Sequence, residues 1–208
     1  MKIRVFFVIF SCLIHPCFAF KTLLVDQGYI YEIYEPQDEI PSSTLNEGQS
    51  IYFESYLNPK LHKEIPLNAM RINASQFHSY DEFIQDMFLR DFESYQGPGQ
   101  NPRFYLQART GQDGKIIGVC AVLGEDNHNY HIDHLGVHKD FRQQGVATHL
   151  IKELLKTIPN IHKLSLDTRV FNKPAQAFYE KMGFKKLDVH PNPQKQSTYY
   201  HYILENPI

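Results

Sequence analysis

Cysteine is scarce, and most of it sits at one end. Of three cysteines in 208 residues, Cys12 and Cys17 fall within the first nineteen positions and only Cys120 lies beyond them. A chain shortened by those nineteen residues cannot close an internal disulfide, which leaves the redox compartment open. Cys120, inside the apolar run Ile116-Ile117-Gly118-Val119-Cys120-Ala121-Val122, reads as a buried structural thiol rather than a nucleophile. An excess of charge of one sign is also missing. The 21 basic and 23 acidic side chains are spread along the chain, so no stretch offers the dense positive field that nucleic acid requires. Internal repeats, low-complexity tracts and heptads are absent.

What the sequence does have begins with an N-terminal pattern. Lys2 and Arg4 precede the apolar run from Val5 to Ile14, and Cys17-Phe18-Ala19 puts a small residue at each position that signal peptidase reads. The run is too short to cross a bilayer comfortably, and its positive end would stay inside. Residues 1–19 therefore read as a cleavable signal for export to the periplasm or beyond, with no stable membrane insertion once removed. The alternatives are an uncleaved anchor, or a wrong start codon with a cytoplasmic protein. Ile14-His15-Pro16 replaces the small residues expected before a lipid-bearing cysteine, so Cys17 is not such a site. Residues 20–208, with 19 basic and 23 acidic side chains, form one domain, because 42% apolar and 13% aromatic residues suffice for one core.

Along that domain, the reading predicts a strand at 29–34 and a short helix at 47–57. A helix opens at the capping box Ser79-Tyr80-Asp81-Glu82, with Phe83, Ile84, Met87, Phe88 and Phe92 on one face. A loop at 96–102 ends it. A three-strand meander follows at 103–109, 115–123 and 129–137, its middle strand apolar enough to need cover on both faces. Helical spacing of Val146, Ala147, Leu150, Ile151, Leu154 and Leu155 predicts a helix over 145–158. Then come a strand at 163–167, a helix at 172–182 stopped by Gly183, and strands at 184–189 and 197–204. The expected fold is α/β (α+β), a mixed sheet with helices packed on both faces.

The junction His138-Lys139-Asp140-Phe141-Arg142-Gln143-Gln144-Gly145-Val146-Ala147 carries the chemistry. A strand ends, and an amphipathic helix starts without an evident capping side chain. Its first N–H groups and its dipole then suit an anion such as pyrophosphate, and Gly145 and Ala147 keep side chains out of the way. Arg142 adds positive charge. No lysine and hydroxyl pair follows the glycine as in a P-loop, and no G-x-G-x-x-G is present. An ordinary strand-to-helix turn is the bland alternative.

Arg142-Gln143-Gln144-Gly145-Val146-Ala147, preceded by Leu135-Gly136-Val137 and followed by Asn172-Lys173-Pro174-Ala175-Gln176-Ala177-Phe178-Tyr179-Glu180-Lys181-Met182-Gly183-Phe184, resembles the signature segments of the GNAT (GCN5-related N-acetyltransferase) superfamily. One departure is Gln143, where members often carry glycine. The resemblance implies a GNAT fold, with a mostly antiparallel central sheet of six to seven strands. It implies acetyl-CoA as co-substrate and an amine, small or on a protein, as acceptor. The amides of Gln143, Gln144, Gly145, Val146, Ala147 and Thr148 would hold the pyrophosphate, with Arg142 beside them. The backbone of Leu135 and Val137 would pair with the pantetheine arm and acetyl carbonyl, Asn172 would touch that arm, and Tyr179 would be the general acid.

In residues 129–137 the apolar parity slips: Tyr130 and Ile132 share one face, Leu135 and Val137 the other. One extra residue must be absorbed between Ile132 and Leu135, and a β-bulge does this while turning a backbone N–H toward a thioester carbonyl. Asp133 and His134, at that bulge, are the candidates for taking the amine's proton. His128, His131, His134 and His138 alternate faces on a strand, and no cysteine or H-x-x-x-H helix supports a metal, so none is expected. Two functions remain, an N-acetyltransferase and a non-catalytic module that binds acyl-CoA or a partner protein. Export would separate the domain from cytosolic CoA, a conflict that delivery into a host cell or an unprocessed signal resolves. The acceptor's identity and the oligomeric state are not written in the sequence.

Overall fold

Apolar side chains at successive positions of residues 116–122 need cover on both sides, and the computed structural model provides it. The structure describes residues 21–26, 28–56, 103–126, 128–193 and 199–207. The expected signal at 1–19, the helix opening at Ser79 and the loop at 96–102 lie outside these residues. Among the described residues eight strands form one sheet: β1 Lys21–Asp26, β2 Tyr29–Tyr34, β3 Arg103–Thr110, β4 Ile116–Gly124, β5 Asn129–Val137, β6 Lys163–Arg169, β7 Lys185–Leu187 and β8 Tyr199–Glu205. Their order is β1-β2-β3-β4-β5-β6-β8-β7. Only β5 and β6 run parallel; every other neighbouring pair is antiparallel. Among the described residues the α-helices are α1 Ser42–Tyr56, α2 Val146–Thr157 and α3 Lys173–Lys181, with a short 3-10 turn at Lys139–Phe141.

β1 is a strand beyond the six to seven expected. It is an edge strand with none of its residues buried, so it has no alternating apolar signal to read. Its hairpin to β2 turns through Gly28, at φ +83°, a conformation glycine enters at little cost. α1 starts at Ser42 rather than near residue 47. Its buried positions Thr44, Leu45, Gly48, Ile51 and Tyr52 have helical spacing, but a threonine and a glycine among them dilute the apolar stripe.

The two faces of β4 show how the layers pack. A Cβ on Gly118 would lie 2.7 Å from Val146 Cγ1 and 3.3 Å from Leu150 Cδ1, so α2 rests on that face. A Cβ on Gly136, which pairs with Val119 on the opposite face, would meet Tyr52 of α1 at 3.2 Å. The larger core lies between the sheet and the helices α2 and α3, built on Ile117, Cys120, Leu150, Ile151, Leu154 and Leu166. Cys120 is fully buried, and burial pushes its thiol up to about 12. It is therefore a packed, protonated side chain at neutral pH.

Candidate active site

The site begins where β5 and β6 part. Their parallel pairing ends at Ile132↔Leu166, while β5 continues to Val137 and β6 to Arg169. From Asp133 onward β5 has β4 on one side and an opening on the other. The β4 register passes from Val122↔Ile132 to Ala121↔His134, so Asp133 is the extra residue the register skips. This is the bulge that the parity slip calls for, and it brings Ile132 and Leu135 to the same core despite their odd separation.

The opening widens into a cleft of about 990 Å³ that reaches from Asp133 past Val137 to the start of α2, with α3 along its other wall. Gly145 is the N-cap of α2, at φ +85°, and makes no side-chain capping bond. The first bond of the helix runs from His149 N to Gly145 O, 2.9 Å. Among the described residues none supplies an acceptor to the amides of Val146, Ala147 and Thr148, all three of which line the cleft. A twelve-residue helix with an uncapped, cleft-facing N-terminus attracts an anion through those N–H groups and its dipole.

The loop before α2 is braced by side-chain hydrogen bonds. Arg142 Nε donates to Val137 O at 3.0 Å, Gln144 Nε2 donates to Asp140 O at 2.9 Å, and Tyr29 Oη donates to Gln144 Oε1 at 2.6 Å. The Gln144 side chain is thus spent on the loop, and Gln144 does not line the cleft, whereas Arg142 and Gln143 do. Gln143 sits at φ +61°. That backbone state costs a side-chain-bearing residue about 1–2 kcal/mol and costs glycine little. The fold therefore asks for positive φ at the position where the signature departs from glycine.

Leu135, Val137, Asp133, Asn172 and Tyr179 also line the cleft. Asn172 caps α3, its Oδ1 accepting from Ala175 N at 3.3 Å. Tyr179 is 8% exposed and packs against Phe178, Phe184 and Tyr202, with ring centroids 5.3 to 6.1 Å away. His134 stands elsewhere. It is 4% exposed on the α1 face, its ring 4.6 Å from that of Tyr52, and it does not line the cleft. Burial pushes its imidazole down to about 4, so it is neutral at physiological pH.

Asp167 is a cleft residue that sequence reading missed. It lies on β6 one residue past the last pairing with β5, level with Asp133 across the opening. Its Oδ1 is 2.8 Å from His190 Nε2 and 2.8 Å from His201 Nδ1. Ligand atoms of these three residues lie within 4.8 Å of one another, a set of the size that holds a divalent cation. The register of two strands beside a splay, rather than any motif, was the signal that could have pointed to Asp167.

A family model described as the acetyltransferase (GNAT) family matches residues 68–184, more than half of the chain. The chain belongs to the GNAT acetyltransferase family. It is 37% identical over 62 residues to an N-alpha-acetyltransferase of Saccharolobus solfataricus, a match covering 28% of this chain and 37% of that protein. It is 34% identical over 93 residues to an acetyltransferase of Pectobacterium atrosepticum, covering 42% and 62%. The chain thus spans less than two thirds of these relatives' length. Among solved structures, a GNAT acetyltransferase of Staphylococcus aureus Mu50 superimposes with a TM-score of 0.58 at 17% identity, covering 84% of this chain and 98% of that one. The PaiA N-acetyltransferase of Thermoplasma acidophilum, solved in complex with coenzyme A, gives 0.58 at 16% identity with the same coverage. These likenesses establish the GNAT fold.

Proposed function

We propose that this GNAT protein transfers an acetyl group from acetyl-CoA to an amine by direct attack. The observation that carries the reading is the uncapped N-terminus of α2, opening on a cleft that leads along the unpaired side of β5 to Tyr179. A diphosphate fits the amides of residues 143–148, with Arg142 adding charge. The pantetheine amides find strand-like partners in the backbone of Leu135 and Val137, which has no β6 neighbour. Asn172, with its Oδ1 engaged in capping, offers its Nδ2 donors to the same arm. At the bulge, a backbone N–H outside the ladder polarises the thioester carbonyl. The amine attacks from the side of Asp133 and Asp167, and the Tyr179 hydroxyl protonates the departing thiolate. An amine, as a small molecule or on a protein, is the acceptor class. We also propose that residues 1–19 direct export.

Tyr179→Phe tests the chemistry. Loss of a general acid lowers kcat by about 100-fold or more while leaving acetyl-CoA affinity unchanged, because the phenol acts only as the thiolate leaves. Stopped turnover with intact binding supports the transferase. Absence of turnover in both forms across a broad amine panel favours a module that binds acyl-CoA without transferring it.

A further inference from the structure

Behind the cleft, on the sheet face opposite α2 and α3, three histidines from distant segments meet the two carboxylates that border the opening. His131 Nδ1 lies 2.8 Å from Ser165 Oγ, and Ser165 Oγ is 3.3 Å from Tyr130 O. The serine's single proton goes to the carbonyl, so Ser165 accepts from His131 and the neutral ring carries its proton on Nδ1. Its Nε2 lone pair then faces Asp133 Oδ1, 3.9 Å away. The His201 ring is stacked on His131, with centroids 6.5 Å apart and planes 8° from parallel. His201 is held in turn by Asp167 Oδ1, which also takes the bond from His190.

The wiring of His190 decides between a metal site and a proton site. Its Nδ1 accepts the Asn192 N–H at 2.9 Å, so its Nε2 bears the proton and donates to Asp167. A metal-bound histidine donates from its second nitrogen. Here that nitrogen is an acceptor, and Nε2 has no lone pair to offer. The cluster is a hydrogen-bond network anchored on carboxylates.

We propose that His131, acting through Asp133, is the proton sink of the transfer reaction, and that the acceptor is an alkylamine arriving as its ammonium cation between Asp133 and Asp167. The inference rests on the acetyltransferase reading above. The ammonium gives one proton to His131 Nε2 by way of the Asp133 carboxylate. The freed lone pair forms the N–C bond to the acetyl carbonyl, the C–S bond breaks, and the thiolate takes the Tyr179 proton. The new amide nitrogen returns its second proton to the tyrosinate, and His131 releases its proton to solvent. Among the described residues, the groups facing His131 are Asp133 and the buried His134 on its own strand, Ser165 and Asp167 from β6, His201 from β8 with His190 beyond it, and Leu123 from β4. Lys163, one rung away, is paired with Glu125. Ser165, by accepting from Nδ1, fixes Nε2 as the nitrogen that receives the proton. His131 is a positioning and relay residue, and Asp133 is the group that touches the acceptor.

The test uses the full chain with n-butylamine, cationic at neutral pH, and aniline, neutral there, as probes. His131→Gln is expected to lower kcat/KM for n-butylamine about 100-fold at neutral pH and to remove the acidic limb of its pH profile. The loss for aniline is expected to be much smaller, and acetyl-CoA affinity unchanged. In parallel, ¹⁵N spectra of the wild type should show His131 as the Nδ1–H tautomer, with a titration that moves in Asp133→Asn. Equal losses for both amines with an unaltered pH profile, an Nε2–H tautomer, wild-type inactivity toward n-butylamine despite bound acetyl-CoA, or one zinc ion bound per chain and lost in His201→Gln would each overturn the proposal. Failure of the wild type to bind acetyl-CoA would instead sink the transferase reading on which it stands.

Discussion

Burial beneath Tyr52 pushes the His134 imidazole down to about 4, and this has a consequence for stability. The folded ring stays neutral where the unfolded one, with an ordinary value near 6.5, takes up a proton. Protonation therefore favours unfolding. The ring's contribution is complete above about pH 6.5 and is lost as pH falls toward 4, a swing of about 3 kcal/mol. His134→Gln is expected to be less sensitive to acid across that window, read as the pH dependence of its urea midpoint relative to wild type. Parallel curves for the two proteins would show that His134 does not titrate as its burial demands. Position in sequence and position in space diverge at this residue. His134 was legible as a bulge neighbour, but the face it turns to depends on which residue the bulge absorbs, and that residue is Asp133. Asp133 thereby reaches the cleft while His134 goes beneath Tyr52.

At the scale of elements, α2 carries the argument. Its amphipathic face packs Val146, Leu150, Ile151 and Leu154 into the core, which fixes the amides ahead of it at the mouth of the cleft. Ala147→Glu places a carboxylate among those amides, where the dipole welcomes it but a diphosphate would be repelled. The expected outcome is a helix that melts no earlier than wild type and an acetyl-CoA affinity weaker by more than about tenfold, measured by calorimetry and thermal denaturation. Undiminished affinity would place the diphosphate elsewhere. Most of this architecture was legible in the chain. Residues 129–137 form β5 with the bounds expected, and the parity slip located the bulge. α2 and α3 lie within a residue of their expected ends, because strong stripes, Gly145, Asn172 and Gly183 mark their limits. β1 was not legible, since an exposed edge strand shows no alternation, nor was the start of α1, whose buried face includes Thr44 and Gly48. The cluster of Asp167, His190 and His201 was beyond sequence reading because three separate segments build it, and no spacing rule links them.

For the whole molecule, the sheet is continuous across both halves of the cleft, so the cleft is set by one splay between β5 and β6. Family membership and fold follow from that frame, and the compartment in which it works is a separate question. None of the helices among the described residues is long and apolar enough to cross a membrane. The proposal that residues 1–19 export the domain predicts that a reporter active only outside the cytosol, fused after Phe20, will work. A reporter active only in the cytosol, fused at the same place, should stay dark. The opposite pattern would remove the export proposal and leave the domain beside its CoA supply.

Main-chain donors at the start of α2 are the proposed seat of the diphosphate. Calorimetric titration of acetyl-CoA into the protein tests this most directly. One saturable site per chain is expected, with a dissociation constant below about 1 mM, the range usual for enzyme substrates, and desulfo-CoA, which keeps the diphosphate, should compete for it. A flat titration at several times that concentration, in protein shown by circular dichroism to be folded, would contradict it.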